Sequence, residues 1–151
     1  MIKIDYDDRD VLDAIQALAR RTSDLSQAMQ DIAGVLADAV ERAFDQEHDP
    51  ATGMPWAPLA PRTIKARGGD AHPILQRSGQ LASSIVTEHG KDYAIVGSNK
   101  RYAAIHQFGG QAGRKRKAII PARPYLGLGE EDKGEIMDIV RGYLGGALSK
   151  R

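Results

Sequence analysis

The 151-residue sequence contains no cysteine, and this absence removes several kinds of chemistry. Without a thiol there is no cysteine nucleophile, no disulfide and no cysteine-ligated metal site. A chain of this length can bury roughly two-thirds of its unfolded surface in a single core, so the fold needs neither a disulfide nor a metal. The sequence therefore predicts one domain, residues 1–151, without a cofactor.

Long apolar runs are also missing. No stretch approaches the ~20 consecutive apolar residues that a membrane-spanning helix requires. The first residues, already acidic at Asp5, do not have the pattern of a secretory signal. We expect no membrane among the partners.

Catalytic and metal-binding motifs are absent as well. The sequence has no GxxxxGK[ST] phosphate loop, no GxGxxG after a strand and no GxSxG elbow. The histidines His48, His72, His89 and His106 have no HxH or HxxxH spacing, which zinc sites commonly use. A hydrolase would need a convergent acid–base pair or nucleophile, and none stands out. We predict a protein that is not an enzyme, with no catalytic and no metal-binding residues.

Charge is unevenly distributed, although the net charge is only +1. Residues 1–50 contain 5 Lys/Arg and 12 Asp/Glu, residues 51–128 contain 12 and 3, and residues 129–151 contain 4 and 5. A basic middle alone is typical of nucleic-acid binding. A basic middle beside an acidic arm favours charge complementarity, within one subunit or between copies. We favour self-assembly and keep nucleic acid as the alternative.

Hydrophobic periodicity predicts helices at both ends of the chain. Residues 1–6 alternate like a short strand, and the acidic residues up to Asp10 suit the start of a first helix. After the N-cap signal Thr22-Ser23-Asp24, a long amphipathic helix is predicted to run to about Gln46. A final helix is predicted over residues 130–148, weakened by four glycines.

The middle of the chain mixes loops, short helices and strands. The sequence predicts a loop over 48–60, a helical turn over 61–65, a short helix or turn over 74–82 and a short helix over 102–108. It predicts strands over 83–88, 93–97 and 118–120. The resulting fold class is α+β, with N-terminal long helices, a small mostly antiparallel sheet and a C-terminal helix. We divide it into an acidic helical part (1–47), a sheet-containing core (48–128) and a C-terminal helix (129–151).

The segment YAAIHQFGGQAGRKRKAIIPARPYLGL, residues 102–128, is the most distinctive part of the chain. Gly109-Gly110 permits a sharp turn, because glycine adopts positive φ readily. Pro121 and Pro124 fix their own φ and favour extended geometry in the residues before them. We predict a rigid extended segment that holds Arg123 in a set direction.

This segment resembles the core signature of the phage virion morphogenesis family, the tail completion proteins of Mu-like and related long-tailed phages. The stretch DPATGMPWAPL (residues 49–59), Thr63 and the stretch ILQRSGQL (residues 74–81) resemble the family's two other motifs, in the same order. Together the resemblance covers roughly residues 44–128.

The resemblance implies a structural virion protein that completes or caps the tail and takes part in head–tail joining. Family members resemble ring-forming head–tail connector proteins, so the expected assembly is a homo-hexameric ring in the tail or neck, assembled in the host cytoplasm. The expected partners are further copies of the chain, the tail tube or sheath, and head-completion or connector proteins. An acidic helical arm that faces a basic loop on the next copy would supply register.

Two sets of residues are the candidate functional residues. The first set is expected to shape the fold and its interfaces: Trp56, Tyr102, His106, Phe108, Arg123 and Tyr125. Trp56 is predicted to pin the 48–60 loop with its N–H bonded, stacking on a ligand being the alternative. The ring nitrogens of His106 are predicted to bond backbone or carboxylate, a catalytic or metal role being the alternative.

The second set is the basic run Arg114, Lys115, Arg116 and Lys117. It is either a solvated loop tip that orders against an acidic neighbour or a non-specific DNA contact. Base stacking is not expected, because no aromatic residue interrupts the run.

Overall fold

Two long helices that pack side by side, near the two ends of the chain, are the largest elements of the fold. The computed structural model describes residues 8–149, and within them the chain has five α-helices and four strands. The helices are α1 (Arg9–Ala19), α2 (Ser26–Gln46), α3 (Pro61–Ala66), α4 (Ala103–Phe108) and α5 (Glu130–Ser149). The strands are β1 (Ile85–His89), β2 (Ala94–Ser98), β3 (Gly110–Ala112) and β4 (Ala118–Ile120). The predicted α+β class is confirmed, and the strand expected over residues 1–6 lies outside the described residues.

Acidic side chains begin the first two helices. The Asp8 carboxylate accepts hydrogen bonds from the backbone N–H groups of Asp10 and Val11, at 3.1 and 3.3 Å. The N-cap of α2 is Leu25, one residue beyond the predicted Thr22-Ser23-Asp24 signal, and Asp24 accepts from the N–H of Ser26 at 2.9 Å. These contacts satisfy N–H groups that have no partner within the helix, which explains why the chain enters each helix at these points.

Helix α2 is the spine of the fold because it contributes to two hydrophobic cores. Its first half packs with α1 and α5 in a core made from Val11, Leu18, Leu25, Ala28, Met29, Ile32, Val35, Ala39, Leu128, Ile136 and Val140. Its last turns pack in a second core made from Val40, Ala43, Phe44, Trp56, Ile74, Leu81, Ala103, Tyr125 and Leu126. Each fully buried Leu, Ile or Val contributes about 1.5–3 kcal/mol. The second core lies directly under the candidate site.

The four strands form two separate antiparallel pairs. Strand β1 pairs with β2, from Ile85 opposite Ser98 to His89 opposite Ala94, and this pair packs against α2. Strand β3 pairs with β4, from Gly110 opposite Ile120 to Ala112 opposite Ala118. Strand β3 was not predicted, because its Gly-Gln-Ala sequence has no β propensity.

Helix α5 forms over its whole predicted length despite its glycines. Asp132 lies at its start, buried, where it accepts from the N–H of Gly129 at 2.8 Å and pairs with Arg42 of α2. Near the other end, the Tyr143 hydroxyl donates to Asp31 of α2 at 2.7 Å. Packing against α2 therefore compensates for the weak intrinsic helix propensity. In residues 8–149 no helix has the length and apolarity needed to cross a membrane.

Candidate functional site

The three sequence motifs singled out above meet in space. Helix α4 and the extended segment 121–126 lie side by side, and the 48–60 loop covers the other edge of that segment. The backbone N–H of Arg123 donates to the carbonyl of His106 at 2.7 Å, which joins the two halves of the signature. The third motif contributes Ile74 and Leu81 to the core beneath. We call α4, residues 121–126 and the 48–60 loop the platform.

Gln107 is the central polar residue of the platform. Its side chain is buried, and its Oε1 accepts from the N–H groups of Tyr125 and Leu126 at 3.0 and 2.9 Å. Its Nε2 donates to the carbonyl of Leu126 at 2.9 Å. The amide therefore bonds the backbone of the extended segment as a neighbouring strand would. This role of Gln107 was not predicted; the only signal in the sequence is that Gln107 follows Ala103 by four residues and so shares its helix face.

Arg123 and Trp56 fasten the 48–60 loop to the platform. The Arg123 side chain is only 6% exposed, and it donates from Nε to the carbonyl of Ala57 at 2.7 Å and from Nη2 to that of Pro58 at 2.8 Å. Trp56 is buried and donates from Nε1 to the carbonyl of Pro124 at 2.6 Å. The prediction that Trp56 pins the loop with its N–H bonded is confirmed. The Arg123 side chain does have a fixed direction, but it points into the protein and binds backbone carbonyls.

Tyr125 joins the platform to the long helix. Its side chain is fully buried, its hydroxyl donates to the carbonyl of Ala103 at 3.0 Å, and its ring lies 5.4 Å from that of Phe44. Phe44 also meets Trp56 edge to face, at 5.7 Å between ring centroids. Burial raises the pKa of Tyr125 to about 12. Aromatic pairs of this kind add about 0.5–1.5 kcal/mol each beyond the area they bury.

Gly109 allows the two halves of the signature to touch. Its φ is +72°, and a Cβ placed there would lie 2.8 Å from the backbone N of Ala122 and 2.9 Å from the carbonyl O of Ile120. Any other residue would push these two backbones apart. The turn predicted at Gly109-Gly110 is therefore also a point of close approach.

His106 lies at the edge of the platform, half-buried. Its ring meets that of Tyr102 edge to face at 5.9 Å, and both line an open groove of about 440 Å³ together with Arg67, Arg77 and Arg123. Burial, and then the charge of Arg123, lowers the pKa of His106. Its buried Nδ1 has no hydrogen-bond partner within residues 8–149, so the prediction that both ring nitrogens bond backbone or carboxylate was wrong.

The β3–β4 hairpin projects from the platform and presents the basic run at its tip. Arg114, Lys115, Arg116 and Lys117 are all exposed, and in the part of the chain that the structure describes none of their side chains has a hydrogen bond or an ion pair. Ile119 on β4 is 79% exposed, and Phe108 at the end of α4 is 61% exposed. Tyr102 is partly exposed at the start of α4.

The candidate residues thus divide by position. Trp56, Arg123 and Tyr125 are internal to the platform, whereas Tyr102, Phe108 and the basic run face outward. Their interface roles stay predictions. Among residues 8–149 no three His, Cys, Asp or Glu side chains cluster in a way that could hold a metal ion. The geometry is that of a rigid support for a projecting hairpin.

Comparison with known proteins extends the resemblance beyond these motifs. The sequence profile of the phage virion morphogenesis family matches residues 6–145, which includes the acidic N-terminal helices. The chain is 38% identical to Mu-like prophage FluMu G protein 2 of Haemophilus influenzae over 144 residues, covering 95% of this chain and 96% of the relative. It is 41% identical to "Putative capsid assembly protein G" of Escherichia phage Mu over 121 residues, covering 78% of each chain.

A third relative, Mu-like prophage FluMu G protein 1 of Haemophilus influenzae, is 38% identical over 113 residues and 72% of each chain. No solved structure matches significantly. The profile match over nearly the whole chain, and the motifs that the platform brings together, lead to one conclusion: the chain belongs to the phage virion morphogenesis family.

Proposed function

We propose that this protein completes or caps the phage tail and takes part in head–tail joining as a homo-oligomeric ring, with six copies as the expected number. Its neighbours would be the tail tube or sheath on one side and head-completion or connector proteins on the other. It would act in the tail or neck of the virion after assembly in the host cytoplasm. The family, phage virion morphogenesis, and the name of the phage Mu relative, putative capsid assembly protein G, support a role in building the particle.

The observation that carries this proposal is the rigid platform with its exposed hairpin. The buried polar side chains of the platform, Gln107 and Arg123, form hydrogen bonds to backbone groups. These bonds make the platform rigid. The hairpin exposes Ile119 and four cations. A protein that joins other proteins needs this combination of a fixed body and an exposed contact element.

Two measurements test the proposal. Light scattering of the protein alone at near-millimolar concentration should give a mass of about six subunits. Electron microscopy, with and without tail tubes, should show rings. Removal of the gene from a lysogen that carries it should yield heads and tails that remain unjoined after induction. Monomers in every condition would refute the ring, and normally joined virions without the gene would refute the role in completion.

A second candidate function is non-specific DNA binding through the hairpin tip. The four exposed cations favour it, with Lys100 and Arg101 also nearby in sequence. If all four contact phosphates, the logarithm of the binding constant should fall with the logarithm of salt concentration with a slope of about −3.6. A gel shift from 50 to 200 mM salt measures this slope. No shift at low salt would eliminate the alternative.

A further inference from the structure

The β3–β4 hairpin makes its main contacts between its own two strands and the turn that joins them. Ile119 and Ile120 also line the groove beside His106, but most of the Ile119 side chain remains exposed. Two-stranded hairpins are marginally stable on their own in water. An exposed Ile119 beside a tip of four cations therefore indicates an element that becomes buried against another surface.

A groove of about 650 Å³ lies on another part of the molecule, between the first half of α2 and the second half of α5. Its floor is apolar, with Leu25 and Ile139, and its rim is acidic. The rim carboxylates are Asp24, Asp31 and Asp138, and the lining residues include no Lys, Arg or His. Four cations lie around the groove: the charge of Lys91 acts on Asp24, Arg141 lies 3.7 Å from Asp138, and Arg20 and Arg21 stand in sequence between the lining residues Leu18 and Thr22.

Two glycines of α5 line this groove without filling it. Gly142 and Gly146 line it, and a Cβ built at either would meet nothing within 4 Å. Glycine in a helix interior costs about 1 kcal/mol relative to alanine. At Gly142 and Gly146 the groove therefore has room for a side chain from another molecule, although a larger residue at these positions would make α5 itself more stable.

We infer that the basic hairpin tip of one copy docks into this acidic groove of the next copy. The occupant is a second copy because the tip carries four positive charges, the groove rim carries three negative ones, and its apolar floor suits the aliphatic stems of Lys and Arg. Tip and groove are different surfaces of one chain, so the contact is heterologous and can close into a ring. The inference rests on the proposed ring and names its interface.

The absence of cysteine makes disulfide trapping a direct test. One tagged chain carries Lys117→Cys and a differently tagged chain carries Gly142→Cys. A disulfide requires Cβ atoms about 3.5–4.5 Å apart. Mild oxidation of the mixture should cross-link the two chains. The matched control is Gly134→Cys on the same helix, which has equal open space but lies outside the groove. Equal yields from positions 134 and 142 would overturn the inference.

Self-association provides a second, independent test. Asp138→Lys should weaken it about five- to tenfold, while the control Asp45→Lys at the far end of α2 should not. Gly142→Gln should weaken it by filling the groove without changing charge. Its control is Gly134→Gln. Both are measured by sedimentation velocity at low salt, where charge pairs are least screened.

The outcomes separate the interface from the ring. Rings that form with unchanged affinity in Asp138→Lys and Gly142→Gln would overturn the interface and leave the ring intact. A chain that remains monomeric and gives no 117–142 cross-link would overturn both. DNA binding that is lost in Arg114→Glu/Lys117→Glu and occurs without a 117–142 cross-link would assign the tip to nucleic acid and overturn the inference.

Discussion

Replacement of Gln107 by leucine tests whether the platform depends on one buried amide. The change keeps a similar volume and removes three hydrogen bonds, two to backbone N–H groups and one to a carbonyl. Each buried backbone group left without a partner costs about 1–3 kcal/mol. Since the three groups are adjacent and can relax together, we expect a loss of about 3–4 kcal/mol in the free energy of unfolding. This is a large part of the 5–15 kcal/mol typical of a domain.

Urea unfolding followed by the fluorescence of Trp56 measures this loss, because Trp56 is the only tryptophan and is buried. Amide hydrogen exchange at Tyr125 and Leu126 should accelerate as well, since their N–H groups lose their acceptor. Gln16→Leu on the exposed face of α1 is the matched control and should change stability by less than about 0.5 kcal/mol. A loss below 1 kcal/mol for Gln107→Leu, with unchanged exchange, would refute the reasoning.

Three further predictions follow from the same region. Gly109→Ala should destabilise the fold by about 1–3 kcal/mol more than Gly113→Ala, because both glycines have positive φ but only Gly109 touches another backbone; urea unfolding measures the difference, and equal losses would contradict it. The lowered pKa of His106 means that the unfolded chain binds more protons below about pH 6.5, so stability should fall as pH drops through this value, and His106→Gln should flatten that dependence. The pKa of Tyr125 near 12 means that the folded chain keeps a proton that the unfolded chain loses, so stability should fall as pH rises above about 10. Tyr125→Phe should reduce this alkaline slope without abolishing it, because the pKa values of Tyr93 and Tyr143 are raised as well, and an unchanged slope would argue against the reasoning.

The sequence predicted the helices and much of the strand content because their signals are local. The apolar stripe of α2, the alternation of β2 and the prolines of the extended segment each act within a few residues. The burial of Trp56 was also predictable, since burying a tryptophan side chain removes a large apolar surface from water.

The arrangement of the platform was not predictable in the same way. The bonds from Gln107 to the extended segment and from Arg123 to the 48–60 loop join residues that are 18 to 66 positions apart. No local pattern specifies them. The separation of the strands into two pairs also depends on packing, because only the β1–β2 pair lies against α2. For His106, no sequence pattern indicates that its buried Nδ1 has no hydrogen-bond partner among residues 8–149.

The hydrogen bond between the N–H of Arg123 and the carbonyl of His106 brings together the two ends of the hairpin segment. A segment whose ends are fixed side by side can lengthen at little entropic cost, about 0.6 kcal/mol for each doubling. The hairpin can therefore gain or lose residues during evolution while the body that supports it keeps its structure. Under the proposed docking of the hairpin, recognition and folding depend on different parts of the chain, so related phages could change what the hairpin contacts without altering the rest of the fold.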